Sequence, residues 1–433
     1  MRSLLKFLAP GTGFKRWVAV LLLGTLVAGV GTGMFLGSHF LGSIEGWLLT
    51  WLYLLTGEWV SEQAAGAIFS ILGVALTLYA IQRVFKAVFD LMLPRGSRGV
   101  TARVLQAALG EQGPRIVAMG GGTGLSALLR GLKSFTRNIT AVVTVADDGG
   151  SSGRLRGELG MLPPGDIRNC LIALADIEPL MEQLMQYRFS AGRELEGHSF
   201  GNLFIGAMTE MLGDFEAAIR ESSKVLAVRG EVLPATLDNV KLVAELVNGE
   251  IVAGESAIPE RGLAVKGIRI EPPDCRPLES TLRAIRGADL VVLGPGSLFT
   301  SIIPNLLVEG MTEALLDTRA KVVYVANIMT QPGETNGFTA ADHLKAIIDH
   351  TAPGIVDHIM VNGAPIDKTR LAAYAKEDAH PVAIDTQRLR VSGVSVSVHD
   401  LVAESGLARH SPEKLAAALL KYAPQNGIWG LGR

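Results

Sequence analysis

Between Arg115 and Asp148 the chain reads RIVAMGGGTGLSALLRGLKSFTRNITAVVTVADD, and few folds accommodate that order of residues. A short apolar run, Arg115 to Met119, enters the glycines Gly120, Gly121, Gly122 and Gly124. A helix-like segment, Leu125 to Leu132, follows, and a second apolar run, Ile139 to Val145, ends in Asp147 and Asp148. The order is strand, glycine turn, helix, strand, acid. Glycine lets the backbone turn tightly and lets a phosphate reach the free N–H groups of a first helical turn. Gly122-Thr123-Gly124-Leu125-Ser126-Ala127 fits the G-x-G-x-x-G/A fingerprint, with acids about 20 residues on, where such folds bind a ribose hydroxyl. The context favours nucleotide binding over a purely structural turn.

The chain has 433 residues, enough for two or three domains. A net charge of −2, with no basic run and no aromatic–basic stripe, excludes an electrostatic nucleic-acid binder. Cys170 and Cys275 lie far apart and form neither a disulfide framework nor a zinc motif, so the larger part reads as intracellular with reduced thiols. Mean hydropathy is +0.32, and the apolar excess sits near the N-terminus.

There, Trp17 to Leu41 is apolar or small except for His39, long enough to span a bilayer, and its glycines Gly24, Gly29, Gly31 and Gly33 suit close helix packing in lipid. Ala64 to Ile81, extending towards 91–93 with Arg83 and Lys86 interposed, is a second such run. A signal peptide is the competing reading of the first run; the second run and the lack of a small-residue cleavage site argue against it. Arg2, Lys6, Lys15 and Arg16 precede the first span, and Arg83, Lys86, Arg95, Arg98 and Arg103 lie at the end of the second or beyond it. The loop between holds only Glu45, Glu58 and Glu62, so the positive-inside rule places both termini and the main domain in the cytoplasm. Trp47, Trp51, Tyr53 and Trp59 read as a short interfacial segment. The expected organisation is a two-pass membrane hairpin over 1–93 (spans about 17–41 and 64–91), a linker over 94–113 and a cytoplasmic domain over 114–433.

Along that domain, apolar runs at Lys224–Arg229, Asp289–Leu293, Lys321–Asn327, His358–Asn362 and Val382–Asp385 read as strands. Helical patterns at Ile167–Met185, Ser280–Arg286, Val308–Leu316 and Thr339–His350 separate them, and Ser411–Tyr422 closes the domain. The alternation predicts an α/β fold, a three-layer α/β/α domain with a mainly parallel sheet. Gly249 to Ile270 reads as short antiparallel strands inserted into it.

Ligands of such folds sit at the carboxyl ends of the strands, so the loops there are candidates. Asp147-Asp148-Gly149-Gly150-Ser151-Ser152-Gly153-Arg154-Leu155-Arg156 offers donors in Ser151 and Ser152, an Arg154–Arg156 fork for phosphate, and acids for a sugar hydroxyl or a divalent cation, for which Asp148 is the candidate ligand. Asp147 and Asp148 are the candidate catalytic pair. Asp166 opens the next helix, as an N-cap or a rim residue, followed by Arg168 and Asn169. His198 and Asn202 flank another helix start. Gly294-Pro295-Gly296-Ser297 is a second phosphate-type turn, and Asn327 leads a loop of amides able to read a base or sugar. No H-E-x-x-H, Walker motif or G-x-S-x-G occurs. The donor-rich loops suit binding, or phosphoryl-type transfer with a metal, better than covalent hydrolysis.

The segments GGGTGLSALLRGL, VTVADDGGSSGRLR, PPGDIRNC, HSFGNL, GPGSLFTSIIPN and NIMTQPGET, in that order, resemble the YvcK/CofD-like family, whose YvcK branch comprises gluconeogenesis factors. The resemblance implies a Rossmann-like core. One branch, CofD, transfers a phospholactyl group from a guanosine diphosphate donor to a deazaflavin with a divalent metal. The other, YvcK, binds UDP-sugars and is linked to gluconeogenic growth, cell shape and wall synthesis; the VADDGGSSGRLR form is similar to it. The expectation is a UDP-sugar-binding regulator, with Mg2+ as a companion ion, NAD(P) disfavoured, cell-wall synthesis proteins as partners, and a homo-oligomer. A CofD-type phosphotransferase is the alternative. The hairpin lies outside the resemblance.

Overall fold

The computed structural model describes residues 14–36, 42–56, 61–92, 113–177 and 179–424. They divide into two compact units, one within 1–100 and one within 101–433.

In the first unit, helices run over Phe14–Phe35, Gly42–Thr56 and Glu62–Met92. The first and third pack antiparallel along their lengths, because small residues recur at the seam. A β-carbon on Gly73 would strike the backbone of Ala28, one on Gly66 that of Phe35, and one on Gly31 that of Ser70. Thr32 and Ser70 join hydroxyls across the seam at 3.3 Å. Such close approach is how helices associate where no hydrophobic drive separates them from their surroundings. Leu22, Leu26, Ile71, Leu72 and Leu78 face outward and are exposed. Among the described residues one stretch, Glu62–Val84, is long and apolar enough to cross a membrane; Ala19–Phe35 is a shorter apolar helix. The aromatic segment holding Trp47 and Trp51 is helical, while Trp59 and residues 37–41 lie outside the described residues.

The second unit is built on a seven-stranded sheet. Its strands are β1 (Ile116–Gly120), β2 (Ile139–Val143), β3 (Glu231–Pro234), β7 (Leu290–Leu293), β8 (Lys321–Val325), β9 (His358–Asn362) and β10 (Ser395–His399), in the spatial order β10-β9-β8-β7-β1-β2-β3. Every pairing is parallel. Parallel strands covered on both faces bury every side chain, and β1 and β7 are buried throughout. One set of helices, Gly122–Leu132, Gly165–Leu174 and Pro412–Leu419, packs together on one side. A second, Glu279–Arg286, Met311–Asp317, Ala340–His350 and Thr386–Val391, is linked through Ile303–Leu306 on the other. The result is the expected three-layer α/β fold.

A second sheet, β4 (Lys241–Leu246), β5 (Ile251–Ala253) and β6 (Val265–Glu271), is antiparallel in the order β5-β4-β6, the insertion read from the sequence, though it begins earlier, at Lys241. It docks on the main sheet's loops: Val265 N–H donates to the Glu334 carbonyl (2.9 Å) and Ile268 N–H to His350 Nε2 (2.9 Å).

Three expectations fail locally. Lys224–Arg229 is no strand, because the buried stripe Ala218, Ile219, Ser222, Leu226 carries the preceding helix through Val225. Val382–Asp385 stays irregular: Val382 N–H bonds to the Ile328 carbonyl (2.9 Å) and Asp385 caps the next helix. Ile167–Met185 breaks into two helices, Gly165–Leu174 and Pro179–Gln186, since the chain turns extended at Ala175 to bridge Val228 and a new helix then starts at Pro179. β10, with its alternating SVSVH, was absent from the strands expected.

Candidate functional site

The strand order reverses between β1 and β7, since β2 and β3 build outward from one side and β8 to β10 from the other. The crevice beyond such a switch point is where open parallel sheets bind ligands. Both glycine turns end there. Gly122 takes φ +63° with open space where a side chain would sit, and so opens the helix Gly122–Leu132 at the crevice, its own N–H donating to Asp166. Gly124 lies against the other turn, where a β-carbon would collide with the Pro295 carbonyl and stand 3.1 Å from Gly296 N. Gly294 has φ +80°, and Gly296 lies beside the Gly121 carbonyl. Asn305 Nδ2 ties the two turns together by donating to the carbonyls of Gly120 (3.2 Å) and Ser301 (2.7 Å). Ser297 leads into a π-helical turn, Leu298–Ile302, a distortion that recurs at functional sites.

The loop after β8 closes the next wall. Asn327 Nδ2 donates to Gln331 Oε1 (3.0 Å), and Gln331 Nε2 donates to Ser297 Oγ (2.7 Å). A cavity of about 260 Å³ lies among Thr123, Ser297, Asn327, Gln331, Arg409 and His410. A second, of about 390 Å³, shares Thr123, Ala127, Arg409 and His410 with it and adds Arg130, Arg168 and Arg188. A polar cleft floored by backbone N–H groups and walled by guanidinium groups suits a ligand with several anionic oxygens. His410 stands where the cavities meet. Burial pushes its imidazole down to about 4, against a hydrogen bond to the Ala326 backbone, and its Nε2 is buried without a partner. At neutral pH it is therefore uncharged.

The acids separate into different roles. Asp148 Oδ1 accepts from Ser256 N (2.9 Å) and Ser256 Oγ (2.8 Å), and its Oδ2 from Glu255 N (3.1 Å). Both oxygens thus hold down the inserted sheet, a role the expected metal ligand was not assigned. Asp147 Oδ1 accepts from Gly149 N (2.9 Å). Asp166 is not the N-cap, a place taken by Pro164; it lies in the first turn with Oδ2 against Gly121 and accepts from the Gly122 backbone. Burial first, then the charge of Asp147, pushes Asp166 up to about 6. Burial and the neighbouring acids, Asp147 foremost, push Glu255 up to about 8, and burial pushes Glu334 up to about 7. Among the described residues no group of three or more His, Cys, Asp or Glu is placed to hold a metal ion.

Behind the rim lies a polar network. Ser151 Oγ meets His198 Nδ1 (3.0 Å), and Asn202 Nδ2 donates to Ser151 Oγ (3.0 Å) and towards Ser152 Oγ (3.5 Å). Arg168 donates to Ser199 Oγ, to Asn202 Oδ1 (2.8 Å) and to Asn169 Oδ1 (2.8 Å). Burial, then Arg154, lowers the His198 pKa, so this ring is neutral as well. Ser151, Ser152, Arg168, Asn169, His198 and Asn202 are thus brought together, and they largely satisfy one another. The expected fork does not form. Two residues apart on a helix point in opposing directions: Arg154 donates to the Glu196 carbonyl (2.8 Å), Arg156 to Asn239 Oδ1. Sequence reading passed over Gln331 and Glu334 as individual residues of a candidate loop, and assigned no role to Glu255, Arg409 or His410. Arg409 and His410 reach the cleft from beyond β10, with no motif around them.

Residues 116–402 match the family described as 2-phospho-L-lactate transferase CofD. A gluconeogenesis factor from Halalkalibacterium halodurans is 53% identical over 311 residues, 72% of this chain and 97% of that protein. One from Bacillus subtilis is 51% identical over 310 residues, 71% of this chain and 98% of that protein. A Nostoc relative is 44% identical over 437 residues, 96% of this chain and 92% of its own, so that likeness extends into the N-terminal unit. The crystal structure of a UPF0052-family protein from Bacillus halodurans, 53% identical, superposes with a TM-score of 0.69 over 71% of this chain and 99% of its own. With the match running from β1 to past β10, this chain belongs to the CofD family and has gluconeogenesis factors as its relatives at over 50% identity.

Proposed function

We propose that the chain is a membrane-tethered regulator that binds a UDP-sugar in the crevice between β1 and β7 and links carbon supply during gluconeogenic growth to wall synthesis and cell shape. The observation that carries the reading is the abutment of two phosphate-type turns, Gly120–Gly124 and Gly294–Ser297, beside a cleft lined by Arg130, Arg168, Arg188 and Arg409. A diphosphate spans two such turns, whereas a single turn serves one phosphate. Asn327 and Gln331 then face the sugar or base, and Asp147 and Asp166 are the carboxylates that would hold a Mg2+ ion, which would supply positive charge beside the phosphates. The chain's own acids and amides do the positioning. NAD(P) fits less well, since no residue set for hydride transfer lines the cleft.

The tether is the N-terminal pair of helices, both termini facing the cytoplasm by the distribution of Lys and Arg. Its support is the apolar stretch Glu62–Val84 and the outward leucines and isoleucines around a seam of small residues.

A second reading, a CofD-type phosphotransferase, is favoured by the Asp147–Asp166 pair and by the description of the family. Incubation of the purified protein with UDP-N-acetylglucosamine or a guanosine diphosphate donor, with magnesium, separates the two. The regulator returns the nucleotide sugar intact; steady release of GMP or UMP, the nucleotide left when the phosphorylated group passes from the diphosphate to an added deazaflavin acceptor or to water, overturns it in favour of the transferase.

A further inference from the structure

Charge is unevenly spread along the cleft. The first cavity carries both glycine turns, Asn327 and Gln331, and one guanidinium, that of Arg409. The second carries Arg130, Arg168 and Arg188 besides Arg409, with the amides of Asn169 and Gln186, and no carboxylate among the described residues lines it. Thr123 is the one residue of either turn that the two cavities share. A diphosphate seated on the turns therefore occupies the first cavity and leaves the positive charge of the second unmatched.

Those guanidinium groups find little counter-charge within the chain. Arg168 is partly buried and donates to neutral acceptors, Ser199 Oγ, Asn202 Oδ1 and Asn169 Oδ1, while its Nε is buried with no partner. Arg188 donates to the Gly197 carbonyl. Of the three, Arg130 alone forms an ion pair among the described residues, with Glu182 at 3.4 Å, and that pair is too exposed to count for much. Burial first, then the charge of Arg188, pulls the Arg168 pKa down, against the attraction of Asp166 and Asp147. Like charges gathered in a half-buried pocket raise the free energy of the empty protein, and an anion placed between them removes that cost.

We propose that the second cavity is a separate subsite for a small co-ligand bearing a phosphate or carboxylate group, bound beside the nucleotide sugar and not as part of it. Arg168 and Arg188 hold the anionic oxygens, Asn169 and Gln186 donate to those that remain, and Ala127 and Ile172 wall a short carbon skeleton. At about 390 Å³ the cavity is of ligand size. The inference rests on the reading that a UDP-sugar takes the first cavity, and it gives the regulator a second chemical input.

Calorimetric titration of the unit from Gly113 to Arg433 with 3-phosphoglycerate, with and without saturating UDP-N-acetylglucosamine, tests it; relatives consisting of little more than this unit show that it folds alone. One-site binding is expected in both arms, with dissociation constants within about 3-fold of each other, and glycerol, which carries no charge, gives no heat. Arg188→Gln, and Gln186→Glu with its added carboxylate, are each expected to weaken 3-phosphoglycerate at least about 10-fold with an unchanged melting curve, while Arg188→Lys keeps most of the affinity. Displacement of 3-phosphoglycerate by the UDP-sugar overturns the proposal, because the second cavity then belongs to the nucleotide site. Binding that survives both substitutions, or no binding of 3-phosphoglycerate or inorganic phosphate up to about 10 mM, overturns it too. A protein that takes 3-phosphoglycerate at this cavity and no UDP-sugar keeps the subsite and sinks the UDP-sugar reading instead.

Discussion

One side-chain-free position, Gly124, decides whether the two turns can meet. Gly124 lets the turn after β1 lie on the turn after β7, and a methyl group there must push against the Pro295 carbonyl, a backbone atom with little freedom. Gly124→Ala is therefore expected to weaken nucleotide binding by about 10-fold or more and to cost about 1–3 kcal/mol of stability, read by titration and by chemical denaturation. Asp166 carries a second prediction. Its folded pKa of about 6 lies above the usual 3.8, so the folded state binds the proton more tightly than the unfolded one. Stability then falls as pH rises from about 4 to about 6, and above that the ionised carboxylate costs on the order of 2–3 kcal/mol. Asp166→Asn is expected to raise the Tm by a few degrees at pH 7.5 and by nothing at pH 4, while weakening magnesium-dependent nucleotide binding. An equal gain at both pH values would show that its burial next to Asp147 is not what matters. The glycines were legible because φ and close approach constrain residue type strongly. Arg409 and His410 were not, because an arginine or histidine in a loop becomes a site residue only through where the sheet delivers it.

At the scale of elements, the inserted sheet β4–β6 is fastened to the site by one side chain. Asp148 accepts three hydrogen bonds from Glu255 and Ser256, and Gly254 (φ +107°) packs on its carboxylate. Asp148→Ala is expected to speed hydrogen exchange at Gly254–Glu260 at least about 10-fold, with the helix Gly122–Leu132 unaffected. Exchange that stays slow would return Asp148 to the role of ligand. Elements with one dominant period were readable: β1, β2, β7 and β9 are apolar runs bounded by glycine or acid, and β8 is one between Lys321 and Asn327. The failures share a cause. Val225 resembles a strand locally, but the buried stripe of its helix overrides that preference, and Val228 beyond the helix forms only a single bridge to Ala175. Val382 and Ile384 are apolar because they pack under the β8 loop. In both cases tertiary packing, invisible in a short window, chose the backbone.

For the whole molecule, the N-terminal unit stands before a domain that makes up nearly the whole of two relatives. If the helix pair spans a bilayer, the intact chain stays in the membrane pellet after alkaline carbonate washing, while the unit beginning at Gly113 is recovered in the supernatant. Release of the intact chain by carbonate would show that its apolar faces are covered by protein rather than lipid.

The central claim is that the two glycine turns at the β1–β7 switch point form one diphosphate site for a UDP-sugar. Calorimetric titration of the unit from Gly113 to Arg433, with magnesium, against UDP-N-acetylglucosamine, UDP-glucose, GDP and NADP tests it most directly. The account predicts saturable one-site binding of a UDP-sugar, lost in Gly124→Ala, with NADP silent. Binding of GDP with no heat from either UDP-sugar would contradict it.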